Sequence, residues 1–292
     1  MALVATLITN PSNPILSEAL VKAAAAASGA ESTAWLAEGV AADLFFSADA
    51  DRAAIERALD GAPVDIVIQQ AETRRKKALL ADMDSTMIGQ ECIDELAAEV
   101  GLKEKVAAIT ARAMNGEIEF EPAVRERVGL LKGLPIAIVD EIIAKRITLT
   151  PGGRELIATM KANGGYTALV SGGFTVFTSR IGAMIGFDEN RANILNEEDG
   201  LLTGTVAEPI LGKQAKVEAL HDVAKKRGIG LEDVMVVGDG ANDLGMIQLA
   251  GAGVALHAKP TVAAQAEIRI DYGDLTALLY IQGYRREDFA TD

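Results

Sequence analysis

The first stretch of the chain sets short apolar runs and amphipathic runs in a fixed order. LVATLI reads as a strand, SEALVKAAAAASG as a helix, STAWLAEG and ADLFFSA as strands, DRAAIERALDG as a helix and VDIVIQQ as a closing strand. This β-α-β-β-α-β order over residues 1–73 predicts a small ferredoxin-like α+β module. From Ala78 the rhythm changes. ALLA, YTALV, VMVVG, GVAL and IRI are short apolar strands with helical stretches between most of them. That alternation predicts an α/β fold, a doubly wound Rossmann-like parallel sheet, whose sites lie at the carboxyl ends of its strands. A mostly helical insertion, ECIDELAAEVGL through EIIAKRI, interrupts the pattern after the first of these strands. Residues 90–149 are therefore expected to form a helical cap, or lid, over a core made of residues 74–89 and 150–292.

Composition narrows the partners. The 292 residues suit about two domains. With 28 basic against 42 acidic side chains the formal charge is -14, which repels nucleic-acid backbones and anionic lipid alike. The first 73 residues carry 10 acids against 3 bases, read as a solvated face. Arg74-Arg75-Lys76-Lys77 follows directly and is expected to act as a charged linker or an intramolecular partner. The uncharged window Ala162 to Ser179 holds four glycines and several hydroxyls, so it reads as strand, loop and helix start rather than a membrane span. A single cysteine, Cys92, excludes a disulfide framework or thiolate metal site, and MALVATLITN lacks a basic leader, so the cytosol is the expected compartment.

The strand ALLA delivers Asp82-Met83-Asp84-Ser85-Thr86, and alternation along extended chain sends both carboxylates to one side. An isolated pair of this kind is usually a polar strand end. A second cluster changes the picture, because VMVVG is followed by Gly238-Asp239-Gly240-Ala241-Asn242-Asp243. Read alone, this is a Gly/Asn/Asp turn. Together the clusters place three or four carboxylates at one sheet edge, which demands a cation. Oxygen-only donors without Cys or nearby His suit Mg²⁺ rather than zinc. Val170-Ser171-Gly172-Gly173-Phe174, a third strand end, offers a hydroxyl and glycine-freed N–H groups before a helix, either an anion cradle or a common loop. Lys216 lies in the helix QAKVEALHDVAKK and gains weight only from this company.

In this order and after these strands, DMDST, VSGGF, Lys216 and GDGAND resemble the four motifs of the haloacid dehalogenase-like phosphotransferase superfamily. DMDSTMIGQECIDELA and GEIEFEPAVRERVGLLKGLP resemble its phosphoserine phosphatases, and the likeness runs from about Lys77 to the C-terminus. The resemblance implies a Mg²⁺-dependent hydrolase converting O-phospho-serine to serine and phosphate, the last step of serine synthesis. It implies Asp82 as the nucleophile that forms an aspartyl-phosphate, and Asp84 as acid to the leaving serine oxygen and then base to water. Crowding and burial would keep Asp84 protonated at first. By the same resemblance Asp82, Asp239 and the Asp84 backbone carbonyl hold Mg²⁺, with Asp243 and Asn242 around it and Asn242 also among the substrate-binding residues. Ser171, Gly172 and Lys216 hold the transferring phosphoryl oxygens.

Phosphoserine carries an ammonium and a carboxylate beside its phosphate, so the lid must present one charge of each sign. Spacing alone cannot choose them; Arg127 reads as a surface helix charge and Glu91 as a helix N-terminal acid. The resemblance picks Glu91 for the ammonium and Arg127 for the carboxylate, with Phe120 and Met114 screening the pocket. Cys92 is expected to pack as a small apolar group, His221 and His257 have no metal or triad pattern, and Trp35 with Phe45-Phe46 reads as module core. The module's element order resembles ACT domains, yet its loop Asn10-Pro11-Ser12-Asn13-Pro14 lacks the glycine usual there, so packing or homodimer formation is expected of it. Two rivals stand beside this reading: a phosphotransferase using homoserine or another hydroxyl acceptor, and a non-catalytic amino-acid sensor.

Overall fold

The computed structural model describes residues 2–114 and 117–290, apart from the side chains of residues 113 and 114. The chain begins with β1 (Leu3–Ile8), α1 (Glu18–Ser28), β2 (Ser32–Ala37), β3 (Ala41–Phe46), α2 (Arg52–Leu59) and β4 (Asp65–Gln70). Local signals fix the helix ends: the Ser17 hydroxyl accepts from Leu20 N–H and Asp51 from Ala54 N–H, while Gly29 closes α1 in the left-handed region. The strands form an antiparallel sheet in the order β2-β3-β1-β4, the expected ferredoxin-like arrangement. Period-two alternation divides its faces. Ala5, Leu7, Leu44 and Ile66 pack with Val21, Ile55 and Leu59 of the helices, whereas Ile8, Ala41 and Val67 join the core of the rest of the molecule. Both faces of the central strands are covered, and the polar Thr6 and Asp43 on the second face are buried against each other.

The remainder runs in chain order through β5 (Ala78–Ala81), the helices α3 (Cys92–Glu99), α4 (Lys103–Met114), α5 (Phe120–Gly129) and α6 (Ile138–Lys145), then α7 (Gly153–Ala162) and β6 (Tyr166–Phe174). There follow α8 (Thr175–Ile185), β7 (Glu189–Asn193), a hairpin of β8 (Leu195–Glu198) and β9 (Leu201–Val206), and α9 (Lys213–Arg227). The chain ends with β10 (Val234–Gly238), α10 (Leu244–Leu249), β11 (Ala252–Leu256), α11 (Pro260–Ala263), β12 (Ile268–Ile270) and α12 (Ala277–Ile281). Six strands make one parallel sheet in the order β12-β11-β10-β5-β6-β7. Alternate strand residues feed two cores: Leu79, Leu169, Met235 and Val237 face one, while Leu80, Ala168, Val234 and Val236 pack with Leu220 and Val223 of α9 on the other. This is the doubly wound arrangement the apolar strands predict.

The four lid helices leave and rejoin the sheet through paired segments, where Gly89 N–H donates to Thr148 O and Thr150 N–H to Met87 O, both at 3.0 Å. Strand β7 and the β8–β9 hairpin were not expected. Asp199 and Gly200 both adopt positive φ, the Asp-Gly signature of a tight hairpin turn. The hairpin braces the lid, since Gly133 N–H donates to Leu202 O and Leu202 N–H to Leu134 O. The window Ala162 to Ser179 resolves into the end of α7, β6 and the start of α8, and no helix among the described residues is long and apolar enough to cross a membrane.

The basic tetrad is spent inside the molecule. Arg74 pairs with buried Asp43, Arg75 lies over the Tyr284 ring, Lys76 donates to the carbonyls of Thr73 and Glu232, and Lys77 pairs with Asp233. Among the expected core aromatics of the module, Phe46 is buried, and Trp35 and Phe45 are half-buried.

Candidate active site

Asp82 leaves the end of β5 with extended backbone, and the next residues wind into a tight turn in which Ser85 takes φ 58°. Its Oδ1 accepts from Met83 N–H at 2.8 Å and faces Lys216 Nζ at 2.8 Å. Lys216 reaches in from α9, is 2% exposed, and donates again to Asp243 Oδ1 at 2.5 Å. Asp239 follows β10 and accepts from Thr86 Oγ1 at 3.2 Å; Asp243 Oδ2 accepts from Gly240 N–H at 3.0 Å. The carboxylates of Asp82, Asp239 and Asp243 are buried and each offers an oxygen within 4.8 Å of the others. A Cβ on Gly238 would lie 2.4 Å from Asp243 Cγ, so only glycine lets this turn close on its own acid.

Two of these carboxylates, Asp82 and Asp243, share the Lys216 ammonium, while Asp239 feels the charge of Lys259. Burial pushes the Asp82 carboxyl well up, Asp243 adds to that, and Lys216 opposes it. Burial and Asp243 likewise raise Asp239, with Lys259 opposing them. Burial would lower Lys216, but the two carboxylates it touches hold it above its ordinary value. An arrangement with more buried negative charge than positive, lined only by oxygen, suits a hard divalent cation.

Asp84 stands beside this cluster, close enough for its charge to act on Asp82. Its carboxylate lies outside the cluster, with Oδ1 accepting from Cys92 N–H at 3.0 Å and Oδ2 at 3.5 Å from the Ser171 hydroxyl. Burial, and after it the Glu91 charge, push the Asp84 carboxyl up to about 7. Gly173 leaves room for it, since a Cβ there would stand 2.8 Å from Oδ2. Ser171 is buried, and its Oγ accepts from Gly173 N–H at 2.8 Å.

Of the lid's two expected charges, Glu91 contacts the core turn and Arg127 bonds within the lid. Glu91 precedes α3 and accepts from the Ser85 hydroxyl at 2.8 Å. The Arg127 guanidinium is half-buried, donating to Ala123 O and Thr110 Oγ1, both at 3.2 Å, and it feels the charges of Asp94 and Glu91. The Phe120 ring touches the space beside Gly172 and Gly212, joining lid to core. Met114 ends α4, and its side chain lies outside the described residues. Asn242 is half-buried beside Gly240, with its amide oxygen against that glycine. A cavity of about 700 Å³ opens elsewhere, between the first module and the segment returning from the lid, lined by Glu38, Leu149, Arg154 and Tyr280 among others.

The family model of the haloacid dehalogenase-like hydrolases matches residues 79–248, from β5 through the second acidic turn. The chain belongs to that family. Its hydrolase domain is similar to the phosphoserine phosphatase of Methanocaldococcus jannaschii, 46% identical over 206 residues, which are 70% of this chain and 97% of that protein. Among solved structures, a haloacid dehalogenase family hydrolase of Salmonella enterica serovar Typhi superposes with a TM-score of 0.85 at 30% identity, covering 96% of this chain and 98% of the other. A structure described as a phospho-aspartyl intermediate analogue of phosphoserine phosphatase superposes with a TM-score of 0.65 at 46% identity, over 70% of this chain and 98% of that one.

Asp243, expected around the cation, is a member of the carboxylate cluster. One feature of this hydrolase escaped sequence reasoning. Asn193, on β7, sits buried with its amide bonded to the phosphate-loop candidate and to the approach of α9. The sequence signal for Asp243 was its place three residues after Gly240 in a turn; for Asn193, inside the unrecognised strand ENRAN, there was none.

Proposed function

We propose that this hydrolase is a Mg²⁺-dependent phosphoserine phosphatase, releasing serine and inorganic phosphate from O-phospho-serine as the closing step of serine synthesis. The observation that carries the reading is the buried cluster of Asp82, Asp239 and Asp243, two of whose members pair with buried Lys216, with Asp84 beside it at a pKa of about 7. The carboxylates of Asp82 and Asp239 and the main-chain carbonyl of Asp84 would hold the cation, with Asp243 alongside. When bound, it offsets the like charge between a carboxylate nucleophile and a phosphate dianion.

The chain's own residues divide the work. An Asp82 oxygen forms a bond to phosphorus as the bond from phosphorus to the serine oxygen breaks, and Asp84 gives its proton to that departing oxygen. Water then attacks the aspartyl-phosphate, Asp84 takes back a proton, and phosphate leaves with Asp82 restored. Lys216, the Ser171 hydroxyl and the Gly172 backbone would donate to the moving phosphoryl oxygens. Glu91 and Arg127 supply the two opposite charges that a zwitterionic serine moiety requires, and Phe120 covers the approach to Gly172. Residues 74–89 with 150–292 form the catalytic core, 90–149 the lid and 1–73 an ACT-like accessory module, whose edge strand β2 offers a surface for a homodimer.

The test is phosphate release from a panel of small phosphomonoesters, with Mg²⁺ present and then chelated, and with homoserine added as a competing acceptor. Phosphoserine should be the preferred substrate, free phosphate should match serine formed, and chelation should stop the reaction. Turnover that survives chelation, or transfer to homoserine in place of phosphate release, overturns the reading.

A further inference from the structure

The parallel pairing of β6 with β7 breaks at the phosphate-loop candidate. Val170 pairs with Arg191 and Phe174 with Asn193, so four residues of β6 advance against two of β7. Residues 171–173 therefore bulge out of the ladder, and their backbone groups lose strand partners. Asn193 supplies the replacement. Its Nδ2 donates to Gly172 O at 2.9 Å and to Leu211 O at 3.1 Å, while its Oδ1 accepts from Leu211 N–H at 2.7 Å. The side chain is 2% exposed, and its amide carries one acceptor bond and two donor bonds, all to backbone.

A chain of consequences follows from the Gly172 bond. In a trans peptide the carbonyl and the following N–H point in opposite directions, so holding Gly172 O toward Asn193 turns Gly173 N–H the other way. That N–H donates to Ser171 Oγ at 2.8 Å, and the hydroxyl in turn lies 3.5 Å from Asp84 Oδ2. The Leu211 bonds act on the other side of the site. Leu211 precedes Gly212, which packs on Phe120 of the lid and stands at the head of α9, the helix that carries Lys216. One buried amide thus links the Ser171 loop to the segment that seats Lys216.

We propose that Asn193 is a positioning residue for phosphoryl transfer, fixing the peptide between Gly172 and Gly173 and its spacing from the start of α9. It touches no reacting atom. The inference rests on the phosphatase reading for its kinetic consequence, while its effect on anion binding is independent of which ester is the substrate.

The experiment compares the parent protein with Asn193→Ala, Asn193→Asp and Thr178→Val. The last removes a buried bond from Thr178 to Asn190 on the same strand and touches neither loop, so it controls for loss of packing. At pH 8, Asn193→Asp keeps an acceptor for Leu211 N–H but sets a carboxylate against two carbonyl oxygens. Three quantities are read: kcat and KM for phosphoserine, the dissociation constant for inorganic phosphate with Mg²⁺ by calorimetry, and the unfolding midpoint. Both Asn193 variants should lose about 10- to 100-fold in kcat and bind phosphate at least several-fold more weakly, the scale of effect expected when reacting groups are displaced by about 1 Å. Thr178→Val should lower the midpoint and leave kcat and phosphate binding unchanged. If Asn193→Ala lowers only the midpoint, or if Asn193→Asp matches the parent in kcat and phosphate binding, Asn193 is mere packing and the proposal is overturned. A parent that binds phosphate but does not hydrolyse phosphoserine refutes the substrate assignment instead, and weaker phosphate binding in the Asn193 variants then still upholds the positioning role.

Discussion

Two groups of buried carboxylates occupy different parts of this molecule and are treated in opposite ways. At the seam between the first module and the core, each acid has its own complement. Asp43 receives the Thr6 hydroxyl at 2.7 Å and the Arg74 guanidinium at 2.8 Å, and Asp65 receives the backbone N–H groups of Asp271, Tyr272 and Gly273. At the strand ends, Asp82, Asp239 and Asp243 crowd together, and Lys216 pairs with the first and last of them. Satisfied acids act as fasteners: the Asp65 turn and the bond from Gln69 to Ile281 O hold the module to the core. Crowded, under-neutralised acids store an affinity for a cation. Burial raises the carboxyl pKa in both regions, so burial alone does not distinguish a fastener from a site; the ratio of acids to donors does.

The comparison is tested most severely by Asp82→Asn. Phosphate release should fall by about 10⁴-fold or more, because the amide is not a nucleophile, while circular dichroism stays that of the parent. A variant retaining a tenth of the turnover would remove Asp82 from the chemistry.

A matched pair comes next. Lys216→Met and Arg74→Met each strip the cation from buried carboxylates, and each should cost about 3–5 kcal/mol in a denaturant titration under chelation. Added Mg²⁺ should restore much of the loss in Lys216→Met and none in Arg74→Met, since only the first leaves a cluster that a divalent ion can enter. Equal responses to Mg²⁺ would erase the distinction between the regions.

The pH dependence sharpens it further. In the proposed roles, proton donation by Asp84 would weaken as the pH climbs through about 7 and its action as a base would weaken below that, so turnover should be bell-shaped about neutrality. Removing the Glu91 charge takes away a cause that raises Asp84, so Glu91→Gln should move the alkaline limb to lower pH and raise KM for phosphoserine. An unmoved limb would separate Glu91 from the acid. At the seam, Asp43 protonates at a higher pH in the fold than in the unfolded chain, burial outweighing the opposing pull of Arg74. Folding then takes up a proton between those two values, and stability falls as the pH rises through that window. Asp43→Asn should flatten this part of the stability profile. The smallest effect belongs to the lid surface: Arg112→Ala breaks an exposed pair with Glu126 and should cost under about 1 kcal/mol.

Much of this was legible along the chain because strands and helices write their periods locally. The module's six elements, the apolar sheet strands and the lid helices follow from runs such as LVATLI, VMVVG and ECIDELAAEV. Strand β7 was not, because ENRAN is polar; it lies at the sheet edge, where pairing and the Thr178–Asn190 bond replace apolar burial. The hairpin at Asp199–Gly200 was readable from its turn residues but overlooked in a polar stretch. Asp84 was assigned beside Asp82 by alternation, yet its carboxylate partners, Cys92 N–H and Ser171, are distant in sequence or reached through a wound turn.

The order of elements, the acidic strand ends and the glycines that let them turn were thus set by the sequence, since each depends on neighbouring residues. Which three acids cluster and which two of them share Lys216, what the basic tetrad pairs with, where the lid's charges meet, and how Asn193 ties Gly172 to Leu211 were decided only by tertiary packing. Those relations join residues tens to more than a hundred and fifty positions apart, and no local period records a distance of 3 Å between them.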